Sequence, residues 1–477
     1  MKNFKWRWKP IVEMALLLLL IASCAVGPDY KTPTIVMPNS FSEESAANDL
    51  ATAELASWWK SFNDPLLDVL IHEAIQQNFD YQIALEKIIE TRALYHLQTA
   101  ELFPKIDLNA QQRRSRISQT MFESPFLGPS TQDFYRLGFD ASWEIDLFGK
   151  RRRAKEAAFY DYEARVETAR DVYITLLSEI ATEYIQIRSL QQQIALTKKT
   201  IFVQSDIFQL TTSLFTAGLS SDIEVSNAEQ LLKQEQAKLF PLKEDLKQGI
   251  YRLAVLLGKE PESLTAEFAD RQAIPTSVKE IPLGLPSELL RRRPDIRSAE
   301  RTLAMETANV GVAVAELFPT FSILGSYGYQ TTQNGKWLKP SSRNWRFGPN
   351  LDWPILYFGR LRANIHATTS QQQQALLNYE QTILEALEDV ESSLVAYRQE
   401  ENRLRAIEQE LLAVERRYTL ERDRYLSGLI DFSTLLAADQ ERLQVEIQRA
   451  VSTQTLSTNL VALYKSLGGD WPSSCSH

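Results

Sequence analysis

The sequence predicts a membrane α/β-barrel protein built from two copies of one unit, which consists of a helix, a β-hairpin, a long helix and a further helix. The first observation is a pair of equal intervals, because 68 residues without Gly or Pro lie between Gly149 and Gly218, and again between Gly359 and Gly428. At 1.5 Å per residue, each interval could form about 100 Å of α-helix. A helix of this length extends far beyond a compact globular core.

The second observation is an internal duplication. At an offset of 210 residues, Phe148-Gly149-Lys150 matches Phe358-Gly359-Arg360, and residues 215–219 match residues 425–429. Upstream the offset is 215 residues, where Ala100-Glu101-Leu102-Phe103-Pro104 recurs at residues 315–319. Self-similarity of this kind indicates repeated structural units. The offset changes from 215 to 210 residues between Pro104 and Phe148, so the first copy has the longer loop in this region, by five residues.

The third observation is a change of apolar period from about 3.6 to 2 after the first helix of each copy, which predicts strands with one apolar face. From Tyr135 to Leu147 apolar odd positions alternate with mostly polar even positions, and residues 345–355 repeat this pattern. Each copy therefore holds one β-hairpin, at 105–147 and 320–357, with strands long enough to cross a bilayer at a tilt. Aromatic residues near the strand ends favour membrane strands over a half-buried soluble sheet.

Four strands are too few to close a membrane barrel. An open sheet in lipid would leave the hydrogen-bonding groups of its edges unsatisfied. Bacterial outer membrane barrels have even strand numbers from eight upward. Several copies of the chain must therefore join, and two copies would give eight strands whereas three would give twelve.

The helical segments complete each copy. The expected helices are 66–103, 150–217 and 222–257 in the first copy, and 287–317, 360–427 and 432–467 in the second. In the long helices the apolar residues recur at intervals of three, four and seven, which is typical of coiled coils. Gly218 and Gly428 mark turns, because helical patterns resume shortly after each of them. Each copy is thus expected to form a helical hairpin closed by a tight turn.

The N-terminus has the features of an export signal. Four basic residues within the first nine precede an apolar stretch, Met14 to Ala22, of signal-peptide length. The following Ile21-Ala22-Ser23-Cys24 looks like a bacterial lipobox, so residues 1–23 are expected to be removed and Cys24 to be acylated. A plain signal peptide with an incidental Cys is the alternative. The other cysteine, Cys475, lies in a Ser-rich tail and is expected to be a free thiol.

Composition argues against several other classes of protein. The formal net charge of −9 gives no reason to expect nucleic-acid binding. Four His and two Cys without ligand spacing predict neither a metal site nor a cofactor. Asp140 and Glu144 could be read as a glycosidase pair, but they lie on the polar face of a predicted strand. Since neither a phosphate loop nor a nucleophile and base motif accompanies them, the sequence does not predict an enzyme.

The motifs together resemble the outer membrane factor (TolC) family, and in particular its acylated OprM, CusC and NodT-type branch. The resemblance covers essentially the whole mature chain. It rests on the duplicated element order, the Phe-Gly after each hairpin and these motifs: Cys24-Ala25-Val26-Gly27-Pro28-Asp29-Tyr30, Trp58-Trp59 with Phe62 and Asp64-Pro65, Arg291-Arg292-Arg293-Pro294-Asp295-Ile296, Leu317-Phe318-Pro319, and Tyr425 with Gly428.

The resemblance implies a homotrimer in the outer membrane of a Gram-negative bacterium, anchored to its lipids through Cys24. A twelve-stranded β-barrel would continue into a periplasmic α-barrel of twelve helices. The two efflux repeats would be residues 66–258 and 286–468. An equatorial collar would be formed by the segments that flank them in sequence, residues 24–65, 259–285 and 469–477.

In function, the resemblance implies the exit duct of a tripartite efflux system. A periplasmic adaptor and an inner-membrane pump of the resistance-nodulation-division type would be its partners, and drugs, toxic compounds or metal ions its cargo. Two alternatives remain open, namely the exit duct of a type I protein secretion system and a non-conducting structural envelope lipoprotein. The sequence identifies neither the cargo nor the particular pump and adaptor.

The resemblance also places a periplasmic gate at the hairpin turns. The residues it assigns to this constriction are Asp222, Glu224, Asp431, Phe432, Arg424 and Tyr425, whereas the turns at Gly218 and Gly428 would contact the adaptor. Phe432 is a candidate plug, and Arg424 and Tyr425 match residues that hold the closed state by bonds between helices. A solvated surface charge is the alternative for Arg424. Thr434 and Ala437 occupy positions where the family commonly has acids, which leaves open whether the gate uses a double acidic ring.

Copies of an acidic side chain around a narrow ring repel one another and attract cations. We therefore expect the open channel to show a weak preference for cations. Reversal potentials of single channels in a salt gradient measure this preference. Anion selectivity in the open state would contradict the expectation.

Overall fold

We describe a computed structural model of the chain over residues 25–35, 37–38, 41, 52–116, 131–277, 292–333 and 335–469. The predicted signal peptide, Cys24, residues 117–130, the predicted start of the second repeat at 286 and the tail with Cys475 lie outside these residues. Among the described residues, no helix is both long enough and apolar enough to cross a membrane.

The element order repeats once along the chain. A 3₁₀-helical segment, Thr52–Phe62, precedes the first repeat. The elements are α1 (Pro65–Gln77), α2 (Phe79–Ala100), β1 (Lys105–Arg116), β2 (Thr131–Ile145), α3 (Lys150–Thr216), α4 (Asp222–Leu256), α5 (Pro294–Ala315), β3 (Thr320–Thr331), β4 (Arg343–Asp352), α6 (Arg360–Leu426) and α7 (Phe432–Ser466). The long helices α3 and α6 have 67 residues each, as the equal intervals predict.

The four strands form one antiparallel sheet in the order β1-β2-β3-β4, so both predicted hairpins are present. The two hairpins share one register, because Lys105 lies opposite Ser142 and Thr320 lies opposite Asp352. Adding 215 to the number of Lys105 gives Thr320, and adding 210 to the number of Ser142 gives Asp352, so the second pair is the repeat of the first. The sheet also joins the hairpins to each other, since β2 pairs with β3 from Tyr135 opposite Thr331 to Ile145 opposite Phe321.

Strands β2 and β3 approach each other closely at two opposed glycines. Gly138 lies directly opposite Gly328. A Cβ atom added to Gly328 would lie 2.5 Å from both the Cα of Gly138 and the carbonyl oxygen of Leu137. No side chain fits there without movement of the backbone, so this position requires glycine.

The chain divides into two compact units. One combines the residues up to 34 with 88–165 and 299–379 and contains the sheet, whereas the other combines 35–87, 166–298 and the residues from 380 onward. In the second unit, α1 and the middle of α3 share a hydrophobic core with the end of α4. Fully buried members of this core include Leu67, Ile71, Ile180, Ile187 and Leu253.

Because of Pro28, Pro33, Pro38 and a run of Ser and Ala, the sequence predicts an extended tether over residues 25 to about 62, and this prediction is wrong in its last part. Residues 52–62 are helical with a kink at Ser57, and Trp58, Trp59 and Phe62 are buried in the core of the second unit. Trp58 stacks on Tyr464 with 5.5 Å between ring centroids. Burial of three large aromatic side chains removes enough apolar surface from water to fold this segment onto the helices.

The predicted single helix 66–103 is also wrong, because the chain breaks between α1 and α2 at Asn78. This buried residue has an extended backbone (φ −64°, ψ 126°). Its side-chain carbonyl accepts the N–H of Tyr81 at 2.8 Å, and its amide donates to the carbonyl of Leu256 at 2.9 Å. Asn is a favourable N-cap, so it starts α2 while anchoring the break to the end of α4.

In the second copy, helix α5 is described from Pro294 to Ala315, and the predicted helix start at residue 287 lies outside the described residues. Proline is favourable in the first helical turn, where its missing N–H is not needed. The preceding Arg293 is buried, and its guanidinium donates to the carbonyls of Ser466 and Ala386 while it pairs with Asp295 and Asp389. The Arg-Pro-Asp motif therefore fixes the start of this helix.

The linker between the two repeats, predicted at 259–285, is described up to residue 277, and this part packs onto α3. Arg188 is fully buried and lies between the rings of Tyr184 and Phe268, with its Cζ 5.1 and 4.9 Å from their centroids. It also donates to the carbonyl of Asp270 at 3.0 Å, and the amide of Gln191 donates to the carbonyl of Phe268 at 2.6 Å. These contacts fasten the linker to the long helix.

The glycine contact predicts a local effect of substitution. Gly328→Ala is expected to lower the free energy of unfolding by about 1–3 kcal/mol, because the new Cβ overpacks the β2–β3 contact. Gly325→Ala, three residues earlier on the same strand, is the control, since its Cβ would meet only ordinary contacts at 3.7 and 3.8 Å. Urea titration of the protein in detergent, read by the gel mobility of unheated samples, measures both. Equal destabilisation by the two variants would contradict this account.

Candidate functional site

The two helical hairpins end in the same turn. In the first, the N–H of Leu219 donates to the carbonyl of Leu214 at 2.8 Å, and the N–H of Gly218 donates to that of Phe215 at 2.9 Å. In the second, Leu429 and Gly428 donate to Arg424 and Tyr425, both at 2.9 Å. This is the Schellman pattern, which needs a left-handed residue. Gly218 (φ +77°) and Gly428 (φ +71°) supply it.

Glu224 caps the start of α4. The N–H of Ser221 donates to its carboxylate at 3.1 Å, while its own N–H donates to the hydroxyl of Ser221 at 3.3 Å. The hydroxyl of Ser220 also donates to this carboxylate. These bonds, first that from Ser220 and then that from Ser221, lower the pKa of Glu224. The carboxylate therefore stays ionised in a reciprocal capping box.

Asp431 has the corresponding place at the start of α7. Its carboxylate accepts the hydroxyl and the N–H of Thr434, both at 2.7 Å, and the hydroxyl of Ser433 at 2.9 Å. The bonds from Thr434 lower the pKa of Asp431. Asp222, by contrast, is an exposed residue in the first turn of α4. The structure thus assigns Glu224 and Asp431 to separate helix caps.

The aromatic candidates lie against each other. The rings of Tyr425 and Phe432 are 5.4 Å apart between centroids. Phe432 is half-buried and packs on a cluster formed by α3 and α7. In the described residues of one chain, Arg424 is exposed and its side chain has no hydrogen-bond partner. The bonds between helices expected for Arg424 and Tyr425 are therefore not found within a single chain.

A set of charged contacts between α6 and α7 was missed by the sequence analysis. The guanidinium of Arg417 contacts both carboxylate oxygens of Glu441, one of them at 3.1 Å. Arg442 lies over the ring of Tyr418, 5.2 Å from its centroid. The only sequence signal was the run of charges from Glu415 to Arg424.

Arg442 also binds two carboxylates on its own helix, Asp439 at 2.6 Å and Glu446 at 2.5 Å. Burial by itself would lower the pKa of Arg442, but the hydrogen bonds to Asp439 and the charges of Asp439 and Glu446 together raise that pKa. Arg442 is therefore a charged group held in place between α6 and α7. It directly follows Glu441, the partner of Arg417, in the sequence.

In the first hairpin the positions equivalent to the pair of Arg417 and Glu441 are apolar, and its ion pair between α3 and α4, Arg252 with Glu183 at 3.0 Å, lies farther from the turn. At the offset of 210 residues, Ile207 and Leu231 replace Arg417 and Glu441. Around its turn, Leu219 and Ile223 are 76% and 72% exposed. The second turn likewise exposes Leu426 and Leu429, so both tips carry apolar residues, and the hairpins differ in the charged contacts that Arg417 and Arg442 make next to the second turn.

In the unit that contains the sheet, the residues after Cys24 cross the joint between β2 and α3. The N–H of Val26 donates to the carbonyl of Phe148 at 3.1 Å. Arg153 pairs with Asp29 at 2.5 Å, and its hydrogen bond and charge lower the pKa of Asp29. A Cβ on Gly149 would lie 2.7 Å from Ala25. We call residues 25–29 the strap, and it begins at the end of a strand.

The two acids considered as a glycosidase pair have other partners. Asp140 accepts from Arg136 at 2.5 Å and from Asn109 at 2.7 Å. Glu144 accepts from Arg151 at 2.7 Å. Across the described ranges, no group of three or more His, Cys, Asp or Glu side chains could hold a metal ion. Asp140 thus pairs with Arg136 of its own strand and Glu144 with Arg151 of α3, so neither acid has the other as its partner.

Comparison with known proteins gives consistent matches over both copies. The sequence profile of the family described as "Outer membrane efflux protein" matches residues 70–259 and 285–469. Nodulation protein T of Rhizobium leguminosarum bv. trifolii is 30% identical over 91% of this chain and 92% of its own. The solvent efflux pump outer membrane protein SrpC of Pseudomonas putida is 31% identical over 95% of this chain and 97% of its own.

Solved structures show the same fold. The outer-membrane channel OprN is 32% identical, with a TM-score of 0.82 over 94% of this chain and all of that one. The open state of the MtrE outer membrane channel of Neisseria gonorrhoeae is 26% identical, with a TM-score of 0.80 over 94% of this chain and 98% of that one. The duplicated element order and the hairpin turns are therefore those of solved channel proteins.

The cap predicts that charge and hydrogen bonding at residue 224 can be separated. Glu224→Gln is expected to leave the start of α4 intact, because Gln also completes a capping box. Glu224→Ala removes the cap and is expected to speed amide exchange over residues 219–226. Hydrogen exchange with mass spectrometry measures this, and Asp222→Asn serves as a control that removes one charge from the same turn.

If Glu224→Gln exchanged as fast as Glu224→Ala, the capping account would be wrong. The pH dependence gives a second reading of the same bond. Because the folded protein lowers the pKa of Glu224, the cap is fully present above the ordinary value of about 4.3 and is lost as the pH falls through the lowered pKa. Fast exchange of this segment in the wild type at neutral pH would contradict it.

Proposed function

This chain belongs to the outer membrane efflux protein family and is an outer membrane channel of an efflux system, and we propose that three copies form one conduit through which small molecules leave the cell. The matched segments, one in each copy, confirm the predicted family and duplicated fold. The relatives and structural neighbours, all channel proteins or their homologues, confirm the predicted outer membrane location and exit-duct role.

The observation that carries the proposed trimer is the open sheet. Strands β1 and β4 are its two edges, and each has a partner on one side only. Two copies would give an eight-stranded barrel, whose interior is just wide enough to be filled by side chains. Three copies give twelve strands and a wider interior, so a conducting barrel favours the trimer.

We further propose that a lipid on Cys24 anchors the chain in the outer membrane. The strap supports this, because Val26 and Asp29 bind the joint between β2 and α3 immediately after that cysteine. An acyl group on Cys24 would then begin at the end of a strand, close to the membrane surface. The lipid is a covalent anchor, and we propose neither a cofactor nor a catalytic step for this chain.

The proposed closed end is the tip of the second hairpin. Contacts among Arg417, Glu441, Arg442 and Tyr418 link α6 to α7 there. The exposed Asp222 and Arg424 and the half-buried Tyr425 add polar groups near the two turns. The turns at Gly218 and Gly428 suit contact with a periplasmic adaptor, because exposed apolar residues flank both of them: Leu219, Ile223, Leu426 and Leu429. Through that adaptor the channel would receive cargo from an inner-membrane pump of the resistance-nodulation-division type.

The cargo itself is a small molecule whose identity we assign to the pump. The related outer membrane proteins carry names from solvent, toluene, antibiotic and cation efflux systems. One fold thus accompanies pumps named for very different compounds, which supports a duct without strong chemical selection. A passive duct of this kind needs no binding site for a particular compound, and we describe none.

The test is the conductance of the purified oligomer in a planar bilayer. Arg417→Ala is expected to increase the frequency of large openings at least several-fold, because it removes the contact between α6 and α7. Arg405→Ala is the matched control, since it removes the same charge from α6 but breaks only a pair with Glu401 on the same helix. Absence of conductance in every variant would contradict the channel.

A second outcome separates the gate from the duct. If Arg405→Ala opened the channel as often as Arg417→Ala, the effect would be one of net charge and the assignment of the closed end would fail. A heat-resistant oligomer of two chains, or of more than three, would contradict the trimer while leaving the channel. Mass measurement of the detergent-extracted oligomer decides between these.

A further inference from the structure

The second β-hairpin carries charge of one sign only. Between Glu316 and Asp352 the sequence contains no Asp or Glu but four basic residues: Lys336, Lys339, Arg343 and Arg346. The first hairpin mixes both signs, and several of its acids pair with arginines. Because the whole chain has a net charge of −9, a purely basic hairpin stands out from its surroundings and favours a partner with negative charge.

Arg343 is on the lipid-facing side of the sheet. It begins β4 and shares a face with Trp345 and Phe347, because alternate residues of a strand lie on the same face. A membrane barrel turns its apolar face outward to lipid. Arg346 lies on the opposite, polar face, directly across from Ser326. Within the described residues, the exposed side chain of Arg343 has neither an ion pair nor a hydrogen bond.

The loop between β3 and β4 folds towards the same apolar face. Its Trp337 packs on Tyr135 of that face, with 5.1 Å between ring centroids. The hydroxyl of Ser342 donates to the carbonyl of Lys336 at 2.8 Å and closes the loop. Lys336 and Lys339 flank Trp337, and both are exposed. The loop therefore holds two further cations near the start of β4.

An apolar depression lies on this face of the sheet, next to the basic residues. Its floor consists of Ala141 and Gly325, which are directly opposite each other in β2 and β3. Its volume is about 580 Å³, and large side chains surround it: Ile106, Phe139, Tyr327, Trp345 and Phe347. Trp345 and Phe347 are 73% and 71% exposed. An apolar depression of this size suits an apolar ligand group.

The cations lie at the end of the sheet that is remote from the helices. Strand β3 follows α5 and β4 precedes α6, so the helices join the strands at the end opposite to the loop. In an outer membrane channel with periplasmic helices, the loop end meets the outer leaflet. Arg343 lies about 7 Å beyond Trp345 along β4, since each residue of a strand adds about 3.4 Å. A phosphate group can therefore contact the cations while an attached acyl chain lies in the depression.

We propose that the β3–β4 hairpin binds a phosphorylated, acylated glycolipid of the outer leaflet. Lys336, Lys339 and Arg343 hold its phosphate, and one acyl chain lies over Ala141 and Gly325. Arginine forms bidentate bonds with phosphate, and each basic residue near an anionic lipid surface strengthens attraction about fivefold. The site goes beyond the proposed conduit, since it needs the outer membrane location but neither a gate nor a particular number of copies.

Native mass spectrometry of the delipidated, detergent-extracted oligomer tests the choice of lipid. Lipid A with two phosphates is expected to bind about tenfold more tightly than the same lipid without phosphates, because only the former pairs with the cations. Phosphatidylglycerol and inorganic phosphate are the other probes. Equal affinity for dephosphorylated lipid A or for phosphatidylglycerol would overturn the proposed glycolipid. Inorganic phosphate binding as tightly as lipid A would show an adventitious ion only and overturn the site.

Removal of the cations tests the assigned residues. The variant Lys336→Ala/Lys339→Ala/Arg343→Ala is expected to weaken binding of lipid A about tenfold or more, and the difference from the wild type shrinks as salt rises. Arg346→Ala is the matched control, since it removes the same charge from the same strand but from its polar face. An equal loss in this control would reveal an effect of net charge and overturn the assignment.

Gly325→Leu tests the place of the acyl chain. A Cβ atom at residue 325 begins at ordinary contact distances, 3.7 Å from Phe347 and 3.8 Å from Ala141, and the rest of the side chain fills the depression. The variant is expected to bind lipid A more weakly but to bind its deacylated, bisphosphorylated sugar as the wild type does. Equal weakening of both would overturn the acyl site. An oligomer that conducts ions but binds no lipid A would overturn this proposal and leave the channel intact.

Discussion

The hydrogen-bonding groups at the edges of the sheet impose the constraint on which this structure depends. A chain with four strands cannot close a barrel, and in lipid the exposed N–H and C=O groups of β1 and β4 would find no water. Closure by further copies satisfies them, so folding of the sheet and assembly are parts of one process. The opposed glycines at 138 and 328 show how closely neighbouring strands must approach for such a sheet to form.

Duplication determines how the two halves of each chain meet. The contact between β2 and β3, with its Phe148–Phe318 stack, is a joint between two copies of one unit within a chain. The copies have diverged where their roles differ, since the strap contacts Gly149 but not Gly359, and the charged contacts of Arg417 and Arg442 occur only in the second hairpin.

The acidic residues near the turns show that a charge can serve the backbone as well as the lumen. Glu224 and Asp431 each accept bonds at the start of a helix, which keeps them ionised and fixes their side chains. A residue held in this way is poorly placed to move. The contacts between α6 and α7, rather than the caps, are therefore the polar groups whose rupture would change the hairpin.

The sequence alone determined the duplication, the long helices, both hairpins and both turns, because these follow from local apolar periods and from the placement of Gly and Pro. The helix predicted at 150–217 ends one residue earlier in the structure, at Thr216. Only the tertiary structure decided that Asn78 breaks a helix, that Trp58 and Trp59 are buried in the core, and that Arg417 forms an ion pair with Glu441. Each of these depends on a contact between segments that are separated along the chain, and local periodicity carries no information about which distant residue will be the partner.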